Sequence, residues 1–313
     1  MEKYCFGVDV GGTTVKIGFF TGEGDLLNKW EIPTRTEDNG KNIIPDIAKS
    51  IKFKIIERGL TEEDIAGIGI GTPGPVDRNG VVHKAVNLGW GEFNLEDELT
   101  GQTGIRSKAG NDATVAALGE AWKGGAKGYS DIVLATLGTG LGGGIIIDGK
   151  ILYGSRGAGG EIGHFHMFND EEEACGCGNK GCFEQYGSAT GLVRLARKML
   201  ASTEEDSILR NEKVTAKAVF DAAKQEDKVA CEIAEEYGRY LAHGFAVIAA
   251  VIDPQVFVIG GGVSKAGQIL IDYIEKYYKG YAFHANRDVE FRLATLGNDA
   301  GIYGAVKLVL DEG

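Results

Sequence analysis

The chain predicts an α/β protein of two duplicated lobes around a cleft, and three observations predict it. Its 313 residues exceed the roughly 100 to 200 usual for one domain. A strand, Gly/Thr turn, strand pattern occurs twice, at Gly11-Gly12-Thr13-Thr14 and again about 130 residues later at Gly138-Thr139-Gly140. The 49 glycines lie at the ends of apolar runs, with neither a collagen period nor a flexible linker, and read as turn positions that need positive φ.

Along the chain, Cys5 to Val10 is a short apolar run rich in β-branched residues, Val15 to Phe20 a second, and the polar turn Thr21 to Asp25 leads to a third strand. Ile65 to Ile70 reads as a strand, and Gly71-Thr72-Pro73-Gly74-Pro75 after it as loop. Asn111-Asp112 opens a helical pattern through Ala126, with Val115, Leu118, Ala121 and Trp122 on one face. The second copy runs Ile132 to Leu137, then Gly142 to Ile147, the turn Asp148-Gly149-Lys150, and Ile151 to Tyr153. Gly191 to Ala201, Thr215 to Gln225 and Val229 to Ile252 read as helices, the last stopped by Pro254. Residues 202–213, acidic and weakly patterned, read as a surface connection. Val256 to Ile259 is a buried strand feeding Gly260-Gly261-Gly262, Ser264 starts a helix to Tyr278, and a final helix begins at Asp299. The lobes are expected at residues 1–115, joined by a C-terminal helix over 298–313, and at 116–297.

A net charge of -12 repels nucleic-acid phosphates and anionic lipid head groups, so neither partner is expected. Phe245 to Ile252, the longest apolar run, falls short of the roughly 20 residues that span a bilayer. The N-terminus runs directly into a strand pattern without a secretory leader. Three of the five cysteines crowd into eight residues, a spacing that suits a metal better than disulfides, and the chain reads as cytoplasmic.

Five groups of residues could carry chemistry. In Asp9-Val10-Gly11-Gly12-Thr13-Thr14-Val15-Lys16, a strand-end carboxylate stands beside a turn whose N–H groups and hydroxyls suit phosphate oxygens, with Asp9 able to hold Mg2+ and Lys16 supplying charge. An ordinary hairpin turn is the plainer reading. Gly138-Thr139-Gly140 offers a second set of donors, while Gly260-Gly261-Gly262 either faces an adenine or ribose or merely permits close helix packing. Asp112, at a helix start, is either a cap or a general base, and a single base suffices for phosphoryl transfer. Finally, His164 with Cys175, Cys177 and Cys182 matches a closed tetrahedral Zn2+ site, His166 being the alternative imidazole. A metal there would hold Glu161 and Glu184, which suit paired sugar hydroxyls unless they are solvated surface charges.

Taken in order, Asp9-x-Gly-Gly-Thr-x-x-Lys16, Gly71-Thr-Pro-Gly-Pro75, Gly110-Asn-Asp-Ala113, Leu137-Gly-Thr-Gly140, Gly160-Glu-Ile-Gly-His164 and Cys175-x-Cys-Gly-x-x-Gly-Cys-x-Glu184 resemble the ROK family of bacterial sugar kinases and repressors. The likeness runs from Asp9 to about Gly304 and, within the family, is greatest to the glucokinases. It implies an actin-like and hexokinase-like (ribonuclease H-like) fold, ATP with Mg2+ as phosphoryl donor, glucose as acceptor, and a structural Zn2+. Asp112 would be the base on the 6-hydroxyl, with Asn111, Glu161, His164 and Glu184 on other hydroxyls. His164 would serve metal and sugar through its two ring nitrogens. The phosphate turn begins too early for a preceding helix-turn-helix domain, and family members are commonly homodimers or homotetramers. The resemblance leaves open a kinase for N-acetylmannosamine, fructose or allose, a silent sugar sensor, and polyphosphate in place of ATP.

Overall fold

The computed structural model describes residues 3–311, which form two compact units: residues 3–128, 144–160 and 295–311 in the first, and 129–143 and 161–294 in the second. In the first, β1 (Tyr4–Val10), β2 (Thr14–Thr21) and β3 (Leu26–Pro33) form an antiparallel meander, with Asp9 directly opposite Lys16. Helix α1 (Ile43–Glu57) lays Ile43, Ile47, Ile51 and Ile55 into the core. Strand β4 (Ile65–Thr72) then pairs parallel to β1. A small hairpin of β5 (Val81–Val82) and β6 (Phe93–Asn94) precedes α2 (Leu95–Thr103). Strand β7 (Ser107–Asn111) pairs parallel to β4 and runs into α3 (Asp112–Lys123). The sheet order is β3-β2-β1-β4-β7.

Strands β8 (Ile132–Leu137), β9 (Leu141–Ile147) and β10 (Lys150–Ile151) open the second sheet. The second unit adds α4 (Glu184–Gly187), α5 (Ala189–Ala201), α6 (Ala216–Ala223) and the long α7 (Lys228–Ile252). After β11 (Val256–Gly260) come α8 (Gln268–Tyr281) and β12 (Glu290–Leu293). The sheet order β10-β9-β8-β11-β12 repeats the first sheet's order, strand for strand, so the expected duplication holds at the level of topology. Helix α9 (Ala300–Asp311) returns to the first unit, where Ile302, Val306 and Val309 pack with Cys5 and Phe20. Among the described residues no helix is long and apolar enough to cross a membrane.

Several elements depart from their sequence patterns for physical reasons. Gly71 and Thr72 are strand, not loop, because β7 continues the ladder and pairs them with Gly110 and Asn111. Helix α3 stops at Lys123, before Ala126, because the Glu120 carboxylate accepts the Gly125 N–H at 2.7 Å and turns the chain. The expected boundary at 115/116 falls inside this unbroken helix. The helix expected from Ser264 is divided by Gly267, at φ +83°, into a short turn and α8.

Candidate active site and metal cluster

In the first unit, the candidate residues gather where three parallel strands end. The register places Asp9 beside Gly71, and Thr72 beside Asn111, so β1, β4 and β7 deliver Asp9, Thr72 and Asn111-Asp112 to one rim. Carboxyl ends of parallel strands are where α/β proteins bind ligands. Asn111, not Asp112, is the helix cap. Its Oδ1 accepts the N–H groups of Ala113 at 3.0 Å and Thr114 at 3.2 Å, and its Nδ2 donates to the Gly74 carbonyl. Asp112 is thus the first helical residue, at the N-terminal end of α3, where its Oδ1 accepts the Ala113 N–H at 2.7 Å. Burial, with the nearby Asp112 charge adding to it, pushes the Asp9 carboxyl up to about 6, and Lys16 only partly offsets this.

The turn after β1 is closed by Gly11 N–H on the Thr14 carbonyl and braced by Thr34, whose hydroxyl donates to the Gly11 carbonyl at 2.7 Å. Neither Gly11 nor Gly12 has positive φ, contrary to expectation. What Gly12 provides is openness: a Cβ there would meet nothing within 4 Å, so a ligand can approach the backbone beside the exposed Thr13 and Thr14. Lys16 donates to the Asn298 carbonyl and lies 3.5 Å from Asp299. Asn298, Asp299 and Gly301, where an added Cβ would stand 2.6 Å from the Asp9 Cγ, were not identified from the sequence. Only a distant segment folding back could reveal them.

In the second unit, the two glycine turns end adjacent parallel strands: Gly260 of β11 pairs with Thr136, two residues before Gly138. Gly261 sits at φ +81° and its missing Cβ leaves room for the Leu137 backbone, so this glycine serves packing, whereas Gly262 faces open space. Gly140 adjoins the Glu184 carboxylate, whose Oε2 accepts the Leu141 N–H at 2.9 Å. That bond fixes Glu184 against the turn carrying Thr139.

His164, Cys175, Cys177 and Cys182 bring one donor atom each within 4.8 Å of one another. The Cys177 and Cys182 sulfurs are 3.6 Å apart, and His164 Nδ1 is 3.7 Å from Cys175 Sγ. Tetrahedral ligands at Zn–S distances near 2.3 Å stand about 3.8 Å apart, so the donor set fits a structural zinc. Burial, then the neighbouring thiols, pushes Cys182 up to about 12, a clustering that a bound cation would relieve. His164 Nε2 lies 3.9 Å from Glu161. His166 is outside the cluster, bonded through its two nitrogens to the Lys180 carbonyl and Asn169. His164 closes a short helical turn, Ile162–His164, that carries it into the cluster.

A profile of the ROK family matches residues 5–312. The chain belongs to the ROK family. This ROK chain is 41% identical to a glucokinase of Halalkalibacterium halodurans over 314 residues, covering 98% of this chain and 95% of that one. It is 36% identical to a Streptomyces coelicolor glucokinase, covering 96% of each. A ROK family glucokinase from Streptomyces griseus, solved in complex with glucose and AMPPNP, superposes with a TM-score of 0.78 at 33% identity, over 99% of this chain and 100% of that chain. The duplicated sheets and these matches give the chain the actin-like, hexokinase-like α/β fold that its motifs imply.

Proposed function

We propose that this ROK chain is an ATP-dependent glucokinase that phosphorylates the 6-hydroxyl of glucose, with Asp112 as general base. The observation that carries this reading is the pairing of Asp112 with Asp9 on one strand-end rim, close enough for one carboxylate to raise the other. A kinase needs that pair: one carboxylate to take the hydroxyl proton, another for a magnesium ion. The likeness to glucokinases over nearly the whole chain supports the choice of acceptor.

In this mechanism Asp112 accepts the 6-hydroxyl proton as that oxygen bonds to the γ-phosphorus of ATP, the bond to the β,γ-bridging oxygen breaks, and ADP leaves. Gly12, Thr13, Thr14, Thr139 and Gly140 donate to phosphate oxygens from turns that the Gly11 and Gly138 N–H groups close, and Lys16 adds positive charge. The Gly260-Gly261-Gly262 turn lies beside the nucleoside, with Gly261 packed on the Leu137 backbone and Gly262 on the open side. Asp9 would hold Mg2+, directly or through water, and the ion would neutralise phosphate charge. Asn111, Glu161, His164 and Glu184 bind the other sugar hydroxyls, while a zinc on His164, Cys175, Cys177 and Cys182 would keep the loop rigid and outside the chemistry. The enzyme works in the cytoplasm as a homodimer or homotetramer.

The test is a coupled assay of ADP release across glucose, fructose, allose, mannose and N-acetylmannosamine. Glucose should give the highest kcat/KM, and a higher value for another sugar would overturn the acceptor assignment.

A further inference from the structure

Glu120 is a carboxylate with no exposed surface, eight residues along α3 from Asp112, and nothing in the proposed chemistry uses it. A charge is buried this completely only when its oxygens are satisfied. Oε2 accepts the N–H of Gly125 at 2.7 Å and of Thr295 at 3.0 Å, and Oε1 accepts the N–H of Leu296 at 2.9 Å. Three backbone donors from two chain segments therefore converge on one side chain. Charge-assisted bonds of this kind are among the strongest available to a protein.

The segment that Glu120 grips leads directly into the phosphate side of the site. Residues Gly297–Asp299 form one helical turn after Leu296, and their Asn298 carbonyl and Asp299 carboxylate take the Lys16 ammonium. Two residues on, Gly301 lies against the Asp9 carboxylate. Helices α3 and α9 also cross backbone to backbone, because Gly119 and Gly304 leave room for the Ala300 and Val115 carbonyls. Asp112 stands at one end of α3, and the Glu120 grip lies toward the other.

We propose that Glu120 is the positioning residue that holds the base-bearing helix α3 in register with the segment that sets Lys16 and Asp9. The proposal rests on the reading of Asp112 as base and of Asp9 and Lys16 as the phosphate and magnesium pair. A shift of this segment moves Lys16 and Asp9 relative to Asp112 without touching glucose. Reacting groups displaced by about 1 Å lose on the order of 100-fold in rate.

The experiment uses the full chain and four variants: Glu120→Gln, Lys16→Met, the double variant, and Asp112→Asn. Glutamine keeps the shape but, in whichever orientation its amide takes, puts an NH2 group where at least one backbone donor points. With circular dichroism and zinc content unchanged, Glu120→Gln should lower kcat by roughly 10- to 100-fold and raise the KM for MgATP, while glucose affinity moves by less than about 2-fold. In the Lys16→Met background the Glu120→Gln loss should shrink to less than about 3-fold, because both changes act through one segment. A folded Glu120→Gln enzyme with wild-type kcat, or one whose loss multiplies fully with that of Lys16→Met, would overturn the proposal. If Glu120→Gln does not fold, Glu120→Asp, which keeps the charge on a shorter arm, takes its place in the same comparison. Failure of both to fold makes the residue a folding anchor, and the proposal falls. Asp112→Asn separates the two ideas: full turnover there removes the base assignment, whereas loss there beside normal Glu120→Gln kinetics removes only this proposal.

Discussion

His164 presents Nδ1 to the sulfur of Cys175 at 3.7 Å, and the opposite nitrogen of the same ring faces Glu161. An imidazole fixed through Nδ1 by a metal must carry its proton on Nε2, so a metal on Nδ1 would set the hydrogen bonding on the Glu161 side, where the proposed function puts the sugar. One zinc per chain is therefore expected by metal analysis. Cys182→Ala should lose it and raise the KM for glucose by roughly 10-fold or more, with a smaller change in the KM for ATP. An active wild-type protein free of zinc would contradict the structural assignment.

Asp112→Asn keeps the helix start intact, because Asn111 is the cap and an asparagine at 112 retains the Oδ1 that accepts the Ala113 N–H. Glucose binding, followed by calorimetry, should stay close to wild type. Turnover should fall by at least ~100-fold, the usual contribution of a general base. Near-normal turnover would remove Asp112 from its role.

Asp9 carries a stability cost that pH can reveal. Its carboxyl is raised from 3.8 to about 6 on folding, so the folded chain binds the proton more tightly than the unfolded one. The associated stability is fully present below pH 3.8 and is lost as pH rises through about 6. Above that, the ionised group leaves the magnesium-free fold less stable by roughly 3 kcal/mol. Asp9→Asn should accordingly melt at a higher temperature than wild type at pH 7.5 in EDTA, with the gap closing as pH falls toward 4. The same variant should be nearly inactive. A gap that does not change with pH would show that Asp9 is not strained by its charge.

Much of this fold can be read from local patterns, and the unread parts share a cause. Apolar runs such as Ile132–Leu137 and Val256–Gly260 are buried strands whose β-branched residues declare them. Ser107–Asn111, with serine, lysine, alanine, glycine and asparagine, has no such signal and is a strand only because β4 pairs with it. Yet that strand aims Asn111 and Asp112. Helix α1 hides behind Pro45, which is harmless in the first turn, where its missing N–H has no helical partner to lose. The candidate metal cluster was legible because Cys175, Cys177 and Cys182 are close in sequence. Asn298, Asp299 and Glu120 were not, since their partners lie far along the chain.

Gly301 offers the most selective check on the phosphate side of the site. It lies in the first turn of α9, where alanine is a better helix former by nearly 1 kcal/mol, so Gly301→Ala has no intrinsic reason to harm the helix. The added methyl, however, would stand 2.6 Å from the Asp9 Cγ, well inside contact distance, and the carboxylate must move. With Asp9 in the proposed magnesium-holding role, its displacement by even part of an ångström should lower kcat by roughly 10- to 100-fold. The magnesium concentration at half-maximal rate should rise, while the KM for glucose stays near wild type. Steady-state kinetics at several magnesium concentrations measure both quantities. If Gly301→Ala keeps full activity and an unchanged magnesium requirement, Asp9 does not hold the ion.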